Sequence, residues 1–218
     1  MNIKSNSFVV FDLDDTLYKE IDFLKSAYLE IAKVVHLDAY EELYNLMLDN
    51  YYKSINVFDW LTKNYESSPS KQNLIELYRN HSPNIRLSKG VSDFIKQLKN
   101  SKTPIGLITD GRSVTQRNKL RSLGIINLFE DKLISEEFGS EKPSIENYLH
   151  YQNKFKSIDN FYYIGDNFTK DFVSPNKLKW DTIGLIDDGS NIHKQSKEVP
   201  HEYLPKYYIK DFSEISLT

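Results

Sequence analysis

The sequence contains no cysteine. It therefore forms no disulfide bond, holds no zinc site built on thiolates and offers no thiol nucleophile. Any chemistry that the chain performs must come from side chains that carry oxygen or nitrogen.

The chain also lacks a long hydrophobic run. No apolar stretch approaches the roughly 20 residues that a helix needs to cross a bilayer. The amino terminus has no basic region followed by an apolar segment, which a secretory signal would have. We therefore expect no membrane contact and a cytoplasmic location.

Neither sign of charge is in large excess. The 28 Lys and Arg residues against 31 Asp and Glu residues leave a net charge of −3. Domains that bind nucleic acid or anionic membranes carry a basic face, which this balance does not support. We expect neither partner, and we infer no oligomeric state from the sequence.

The apolar content that is present is enough for a packed core. Hydrophobic residues make up 39% of the 218 residues and aromatic residues 13%, which argues against a disordered chain. The length suits one α/β domain with a modest insertion, or two small domains.

A short strand pattern near the amino terminus ends at a group of acids. Residues 8–13 are predicted as a buried parallel strand, and Asp12, Asp14 and Asp15 lie at its carboxyl end, where open α/β sheets bind ligands. Alternate residues of an extended segment point the same way, so Asp12 and Asp14 face one site. Crowded carboxylates need a cation or a shared proton, and Mg²⁺ is the hard cation that suits oxygen ligands. Asp15 is predicted as a turn or capping residue instead.

The pattern then changes to helices. Apolar residues recur at spacings of three and four from residue 17 to about residue 86, with no alternation of the strand type. Asp38 and Ser70 are predicted helix caps. We predict that residues 17–86 form a helical cap domain, inserted directly after the first strand.

The remainder alternates strands and helices. Strands are predicted over 104–109, 132–135, 161–165, 181–186 and 207–209, and helices over 88–98, 113–123 and 144–153. Pro143 is predicted in the first turn of the last helix, and residues 187–199 as a polar loop. This alternation predicts an α/β fold, a Rossmann-like doubly wound parallel sheet built from residues 1–16 and 87–218.

Four segments together resemble the motifs of the haloacid dehalogenase-like (HAD) hydrolases. They are residues 12–16 (DLDDT), 105–111 (IGLITDG), 141–143 (EKP) and 163–171 (YIGDNFTKD). One such motif alone is weak evidence, whereas four in this order make a specific pattern that spans nearly the whole chain. The position of the predicted cap is similar to that of the subgroup whose cap lies between the first two motifs.

The resemblance implies a covalent mechanism. Asp12 would attack a phosphoryl group and form an aspartyl-phosphate. Asp14 would protonate the leaving alcohol and later take a proton from water, so we expect its neighbours to raise its pKa. Dehalogenases of this type lack the second acid, and its presence favours phosphate esters.

The resemblance also implies a magnesium site. The ligands would be the carboxylate of Asp12, the backbone carbonyl of Asp14 and the carboxylate of Asp166. Asp171 would lie close behind, either contacting the metal through water or holding Lys142. It could also be a simple helix cap.

The phosphoryl group would have its own ligands. The resemblance assigns them to the hydroxyl of Thr109, the backbone N–H of Asp110 and the ammonium group of Lys142, which would neutralise both nucleophile and phosphate. Tyr18, Lys19, Glu20 and Arg86 lie near the cap boundaries without an assigned role. The five histidines show no metal-ligand spacing and are predicted as surface or packing residues.

The resulting hypothesis is a Mg²⁺-dependent phosphatase that acts on a small phosphorylated metabolite, such as a sugar phosphate or nucleotide. A phosphomutase or phosphotransferase with the same intermediate is one alternative. A binding protein that keeps the fold without catalysis is another.

Overall fold

The computed structural model describes residues 1–4, 6–196 and 198–218. The strands are β1 (Asn2–Ile3), β2 (Ser7–Phe11), β3 (Ile105–Thr109), β4 (Asp131–Ile134), β5 (Asn160–Gly165), β6 (Asp181–Leu185), β7 (Tyr207–Ile209) and β8 (Ser216–Leu217). The α-helices are α1 (Glu20–Val35), α2 (Tyr40–Tyr52), α3 (Val57–Asn64), α4 (Lys71–Asn80), α5 (Lys89–Asn100), α6 (Ser113–Ser122), α7 (Ser135–Phe138), α8 (Glu146–Lys154) and α9 (Val173–Lys177).

Six strands form one parallel sheet in the order β4-β3-β2-β5-β6-β7. The chain starts at the centre with β2, moves outward through β3 and β4, and returns to β5 before moving outward on the other side. The direction of winding therefore reverses between β2 and β5, where sheets of this kind have a ligand crevice. This topology confirms the predicted doubly wound α/β fold.

The sheet is buried on both faces, and β2 shows how. Val9 and Phe11 pack into one apolar cluster with α5 and α6, while Phe8 and Val10 pack into a second cluster with α8. Alternate side chains of a strand point to opposite faces, so a strand covered on both faces has a continuous apolar sequence. Residues 7–11 are all buried for this reason.

The four helices α1 to α4, here called the helical insert, have an apolar cluster of their own, which includes Tyr28, Ile31 and Met47. Ser70 caps α4 by accepting the N–H of Asn73 at 3.2 Å. The predicted cap at Asp38 is wrong, because a 3₁₀ turn over Leu37–Ala39 occupies that position. The division into a core domain and a cap domain at residues 16 and 87 stays a prediction.

Several boundaries differ from the predicted ones by one or two residues, and two of them lie at predicted motifs. The first strand ends at Phe11, because the carbonyl of Leu13 accepts the N–H of Leu17 at 2.9 Å and so starts a turn. Pro143 precedes its helix, which begins at Glu146. The short pair of β1 with β8, which joins the two chain ends, was not predicted.

Within the described parts of the chain, no helix combines the length and hydropathy that crossing a membrane requires.

One tyrosine ties α8 to the strands that lead into the crevice. The buried hydroxyl of Tyr151 accepts the N–H of Leu107 at 3.0 Å and lies 2.8 Å and 3.0 Å from the carbonyl oxygens of Leu107 and Asp131. Tyr151→Phe leaves a buried N–H without its acceptor, so we expect a loss of about 1–3 kcal/mol in the free energy of unfolding.

Urea denaturation measures this loss, with Tyr52→Phe as the matched control. Tyr52 is 63% exposed, and its change should stay within about 0.5 kcal/mol. A Tyr151→Phe protein as stable as the control would contradict the assigned role of the hydroxyl.

Candidate active site

A small cavity lies where β2, β3 and β5 end. Asp12 follows β2, Asp110 follows β3 and Asp166 follows β5, and the carboxyl ends of parallel strands share one edge of the sheet. The cavity has a volume of about 120 Å³. Its lining residues are Asp12, Asp14, Asp15, Glu20, Thr109, Asp110, Lys142, Asp166, Asn167, Lys170 and His193.

A buried lysine joins two of the predicted acids. The Nζ of Lys142 lies 2.5 Å from Oδ1 of Asp12 and 2.8 Å from Oδ1 of Asp171. Burial alone would lower the pKa of Lys142, but the charges of Asp12 and Asp171 raise it well above its usual range. Lys142 is therefore a permanent cation beside Asp12.

Asp171 uses both of its oxygens on protein groups. Oδ2 accepts the N–H groups of Asp166 at 3.1 Å and Asn167 at 2.9 Å, while Oδ1 accepts from Lys142 and, at 3.3 Å, from the hydroxyl of Tyr163. The residue is completely buried. These contacts hold Lys142 and fix the backbone on which Asp166 lies.

Three acids nevertheless stand close enough to share a cation. Carboxylate oxygens of Asp12, Asp166 and Asp171 lie within 4.8 Å of one another. Burial, together with the charges of Asp12 and Asp171, raises the pKa of Asp166 to about 9. Burial raises the pKa of Asp12 to about 7, although Lys142 opposes this shift. A buried set of oxygen donors with uncompensated negative charge fits a hard divalent cation.

Thr109 and Asp110 both lie at the end of β3. Thr109 is 1% exposed, and its Oγ1 accepts from Nε2 of Gln116 at 2.5 Å. Asp110, predicted for its backbone N–H, also accepts the N–H of Lys142 on Oδ1 at 3.0 Å and pairs with Lys170 through Oδ2 at 3.1 Å. Its side chain thus links the segment after β3 to the segment that carries Lys142.

The surroundings of Asp14 differ from the expected ones. Its Oδ1 lies 2.6 Å from Nζ of Lys119 and accepts from the hydroxyl of Tyr18, and its Oδ2 accepts from Gln116 at 2.8 Å. Burial alone would raise the pKa of Asp14, but the charge of Lys119 and these hydrogen bonds lower it. The expected raised pKa is therefore wrong for the protein without substrate, because its neighbours are donors.

Asp15 turns the chain from β2 into the helical insert. Its φ of +56° lies in the left-handed region, which Asp tolerates better than most residues. Its Oδ1 accepts the N–H of Glu20 at 2.9 Å, at the start of α1, and its Oδ2 accepts the N–H of Ile192 at 3.2 Å. These are the contacts of a turn and capping residue.

The side chains near the predicted cap boundaries lie around two cavities, and Tyr18 belongs to the surroundings of both. Tyr18 and Glu20 lie beside Asp14 or line the cavity. Lys19 pairs with Asp188 at 3.0 Å, and Arg86 lines a different cavity of about 290 Å³. Among the histidines, His193 lines the candidate cavity, which its sequence context did not indicate.

Sequence reasoning missed the polar side chains that surround the motifs. Gln116 and Lys119 lie three residues apart on α6, a spacing that could have placed both on one helix face. Asn191 donates through Nδ2 to Oδ2 of Asp166 at 2.8 Å and accepts from Nζ of Lys19 through Oδ1 at 2.8 Å. No local signal distinguishes Asn191 from the rest of its polar loop.

Known proteins share this sequence pattern and fold. The chain matches the family of haloacid dehalogenase-like hydrolases over residues 9–185. A glyceraldehyde 3-phosphate phosphatase of Methanocaldococcus jannaschii is 31% identical over 82% of this chain and 84% of that protein.

Solved structures show the same fold at lower identity. The HAD-hydrolase YfnB of Bacillus subtilis, bound to magnesium, has a TM-score of 0.64 at 20% identity, with 95% of each chain covered. A 2-haloacid dehalogenase of Pseudomonas syringae has a TM-score of 0.59 at 19% identity, also with 95% of each chain covered.

The ion pairs of the site predict a difference in stability. Asp171→Ala leaves two buried backbone N–H groups without their acceptor, whereas Lys142 keeps Asp12 as a partner. We expect it to lower the free energy of unfolding by about 1–3 kcal/mol. Asp188→Ala removes the exposed partner of Lys19 and should cost about 1 kcal/mol or less. Denaturant unfolding of both variants checks this, and equal losses would contradict the structural role of Asp171.

The raised pKa of Asp166 predicts how stability changes with pH when no metal is bound. Above the usual range of an aspartate, near pH 4, the unfolded chain releases a proton that the folded chain keeps, so stability falls as the pH rises towards 9. Asp166→Asn removes the titrating carboxyl and therefore this loss of stability. The loss amounts to about 1.4 kcal/mol for each unit by which folding raises the pKa of Asp166. In EDTA the variant should therefore be the more stable protein at pH 8, and its advantage should be clearly smaller at pH 5, which lies only about one unit above the pKa of the unfolded chain.

Urea unfolding at the two pH values measures the effect, with the exposed Asp159→Asn as the control acid. Added Mg²⁺ should stabilise the wild type and leave the Asp166→Asn protein unchanged. A less stable variant at pH 8 in EDTA would show that the carboxylate of Asp166 is not a source of repulsion.

Proposed function

The chain belongs to the haloacid dehalogenase-like hydrolases, and from this membership we propose that it is a Mg²⁺-dependent phosphatase of a small phosphorylated metabolite. The observation that carries the proposal is the contact of 2.5 Å between Lys142 and Asp12, which both line the cavity. A buried carboxylate held beside a cation is suited to attack a phosphoryl group, whose negative charge would otherwise repel it.

In the first step Asp12 is the nucleophile. One of its oxygens forms a bond to phosphorus while the bond from phosphorus to the ester oxygen breaks. The electron pair of that bond stays on the ester oxygen, which takes a proton from Asp14 and leaves as an alcohol. Lys142 and Thr109 would hold the phosphoryl oxygens during this transfer.

In the second step water regenerates the enzyme. A water molecule attacks the phosphorus of the aspartyl-phosphate and gives a proton to Asp14. The bond from phosphorus to the Asp12 oxygen breaks, which restores the carboxylate and releases inorganic phosphate. Asp14 ends with the proton that the next turnover needs.

The contacts of Asp14 favour its charged form before substrate binds. The charged form is the one that Asp14 needs as the base of the second step. In the first step Asp14 must carry a proton. A phosphate group in the cavity brings negative charge towards Asp14, and like charges raise the pKa of a carboxyl. We therefore propose that substrate binding itself protonates the residue for its role as an acid.

The metal would be held by the carboxylates of Asp12 and Asp166 and by the backbone carbonyl of Asp14, with Asp171 behind them. Bound there, Mg²⁺ would supply positive charge that offsets the repulsion between Asp12, Asp166 and the incoming phosphate. The carboxylate oxygens of Asp12, Asp166 and Asp171, which lie within 4.8 Å of one another, support a cation at this position.

The substrate class follows from the size of the cavity. Its volume of about 120 Å³ is small beside the roughly 300–1,000 Å³ of typical ligand pockets, so it suits a phosphoryl group and little more. The remainder of the substrate must lie at the mouth, beneath the helical insert, which we propose acts as the cap. Together with the phosphatase of Methanocaldococcus jannaschii, which is named for glyceraldehyde 3-phosphate, this supports a short sugar phosphate.

Asp12→Asn tests the nucleophile. We expect the variant to lose nearly all hydrolysis of p-nitrophenyl phosphate in Mg²⁺, by a factor of at least about 10³, because an amide is a poor nucleophile. Asp159→Asn, an exposed acid on the same domain, should keep full activity, and EDTA should abolish the activity of the wild type.

Equal rates for Asp12→Asn and wild type would contradict the assignment of Asp12 as the nucleophile. Activity in a metal-free preparation would contradict the proposed need for Mg²⁺. A screen of phosphorylated metabolites for released phosphate then identifies the substrate, with triose phosphates as the first candidates. Transfer of phosphate to a second hydroxyl, without release, would favour the phosphomutase alternative instead.

A further inference from the structure

Helix α6 carries two polar side chains that the proposed mechanism leaves without a role. Gln116 is 1% exposed and Lys119 is 3% exposed, although lysine is almost never fully buried unless it is paired. The two residues lie three positions apart, so they share one face of the helix. That face of α6 points towards the candidate active site.

Both side chains end on the same carboxylate. Nζ of Lys119 lies 2.6 Å from Oδ1 of Asp14, and Nε2 of Gln116 lies 2.8 Å from Oδ2. Each oxygen of Asp14 thus has its own donor from a regular helix. The carboxylate itself lies on the turn after β2, where the backbone alone would leave its orientation undetermined.

Gln116 also contacts the residue predicted to bind phosphate. The same Nε2 lies 2.5 Å from Oγ1 of Thr109. One amide nitrogen therefore sets the separation between a phosphate-binding hydroxyl and the acid that serves the leaving oxygen. Errors of about 1 Å in such a separation lower catalytic rates strongly.

Lys119 connects this arrangement to the helical insert. Its Nζ lies over the ring of Phe23, 4.5 Å from the centroid, and 4.0 Å from Oε1 of Glu20. Both residues belong to α1. The orientation of Asp14 is thus tied at once to the core helix α6 and to the first turn of the insert.

We propose that Gln116 and Lys119 are positioning residues that orient the carboxylate of Asp14 towards the leaving oxygen of the substrate. The inference rests on the proposed phosphatase function, since it assigns to Asp14 the proton transfer of that reaction. The two residues do not touch the reacting atoms themselves; they act through Asp14.

Two substrates with different leaving groups separate this role from a purely structural one. p-Nitrophenolate leaves without a proton, whereas an alkoxide must be protonated as it leaves. We expect Gln116→Ala and Lys119→Met to lower kcat/KM for the primary alkyl phosphate that the wild type hydrolyses fastest by about 10²-fold or more. For p-nitrophenyl phosphate the loss should be at least about tenfold smaller, because that reaction does not need the acid.

Double variants give a second readout. In an Asp14→Asn background, Gln116→Ala should cause no further loss on the alkyl phosphate, since residues that act as one unit are not additive. Lys119→Arg keeps the charge and should recover part of the lost selectivity. Arg121 is an exposed basic residue on the same helix, so Arg121→Met is the matched control. It should leave kcat/KM for both substrates unchanged.

Thermal melting shows which variants fold, and if Lys119→Met does not fold, the neutral change Gln116→Ala decides the question. Equal losses on the two substrates, or additive losses in the Asp14→Asn background, would overturn the inference and leave the phosphatase intact. A wild type that hydrolyses neither ester would overturn the proposed function, and this inference with it.

Discussion

The site depends on how the charge of buried carboxylates is compensated. Asp12, Asp166 and Asp171 lie within 4.8 Å of one another, and Lys142 supplies the one cation that contacts two of them among the described residues. One lysine cannot neutralise three acids, and the excess appears in the raised pKa values of Asp166 and Asp12. Keeping such a cluster costs stability, and the proposed binding of a cation and a phosphate would explain why the cost is tolerated.

The sheet makes this crowding possible. The order of the strands puts the ends of β2 and β5 side by side, so acids that are more than 150 positions apart in the chain meet across one crevice. Asp171 then adds rigidity, because its oxygens accept the backbone N–H groups of Asp166 and Asn167. These backbone contacts therefore fix the segment that carries Asp166 relative to Asp171.

A second layer of polar side chains surrounds these acids. Gln116 and Lys119 come from α6, and Asn191 comes from the polar loop after β6. Two of these three also contact residues at the start of the helical insert, Lys119 through Phe23 and Asn191 through Lys19. The environment of the acids is thus coupled to the start of the helical insert, the segment that we propose acts as the cap.

The sequence by itself determined the six strands of the parallel sheet, although not all of their ends, because a strand buried on both faces needs a continuous apolar run such as residues 8–11. It also singled out Asp12, Thr109, Lys142 and Asp166 by motif, although their catalytic roles remain a prediction. Only the tertiary structure decided the charge state of Asp14, since Lys119 and Gln116 reach it from more than 100 positions away. Local sequence patterns predict burial and turns. The pKa of a side chain depends instead on the charges that the fold places beside it.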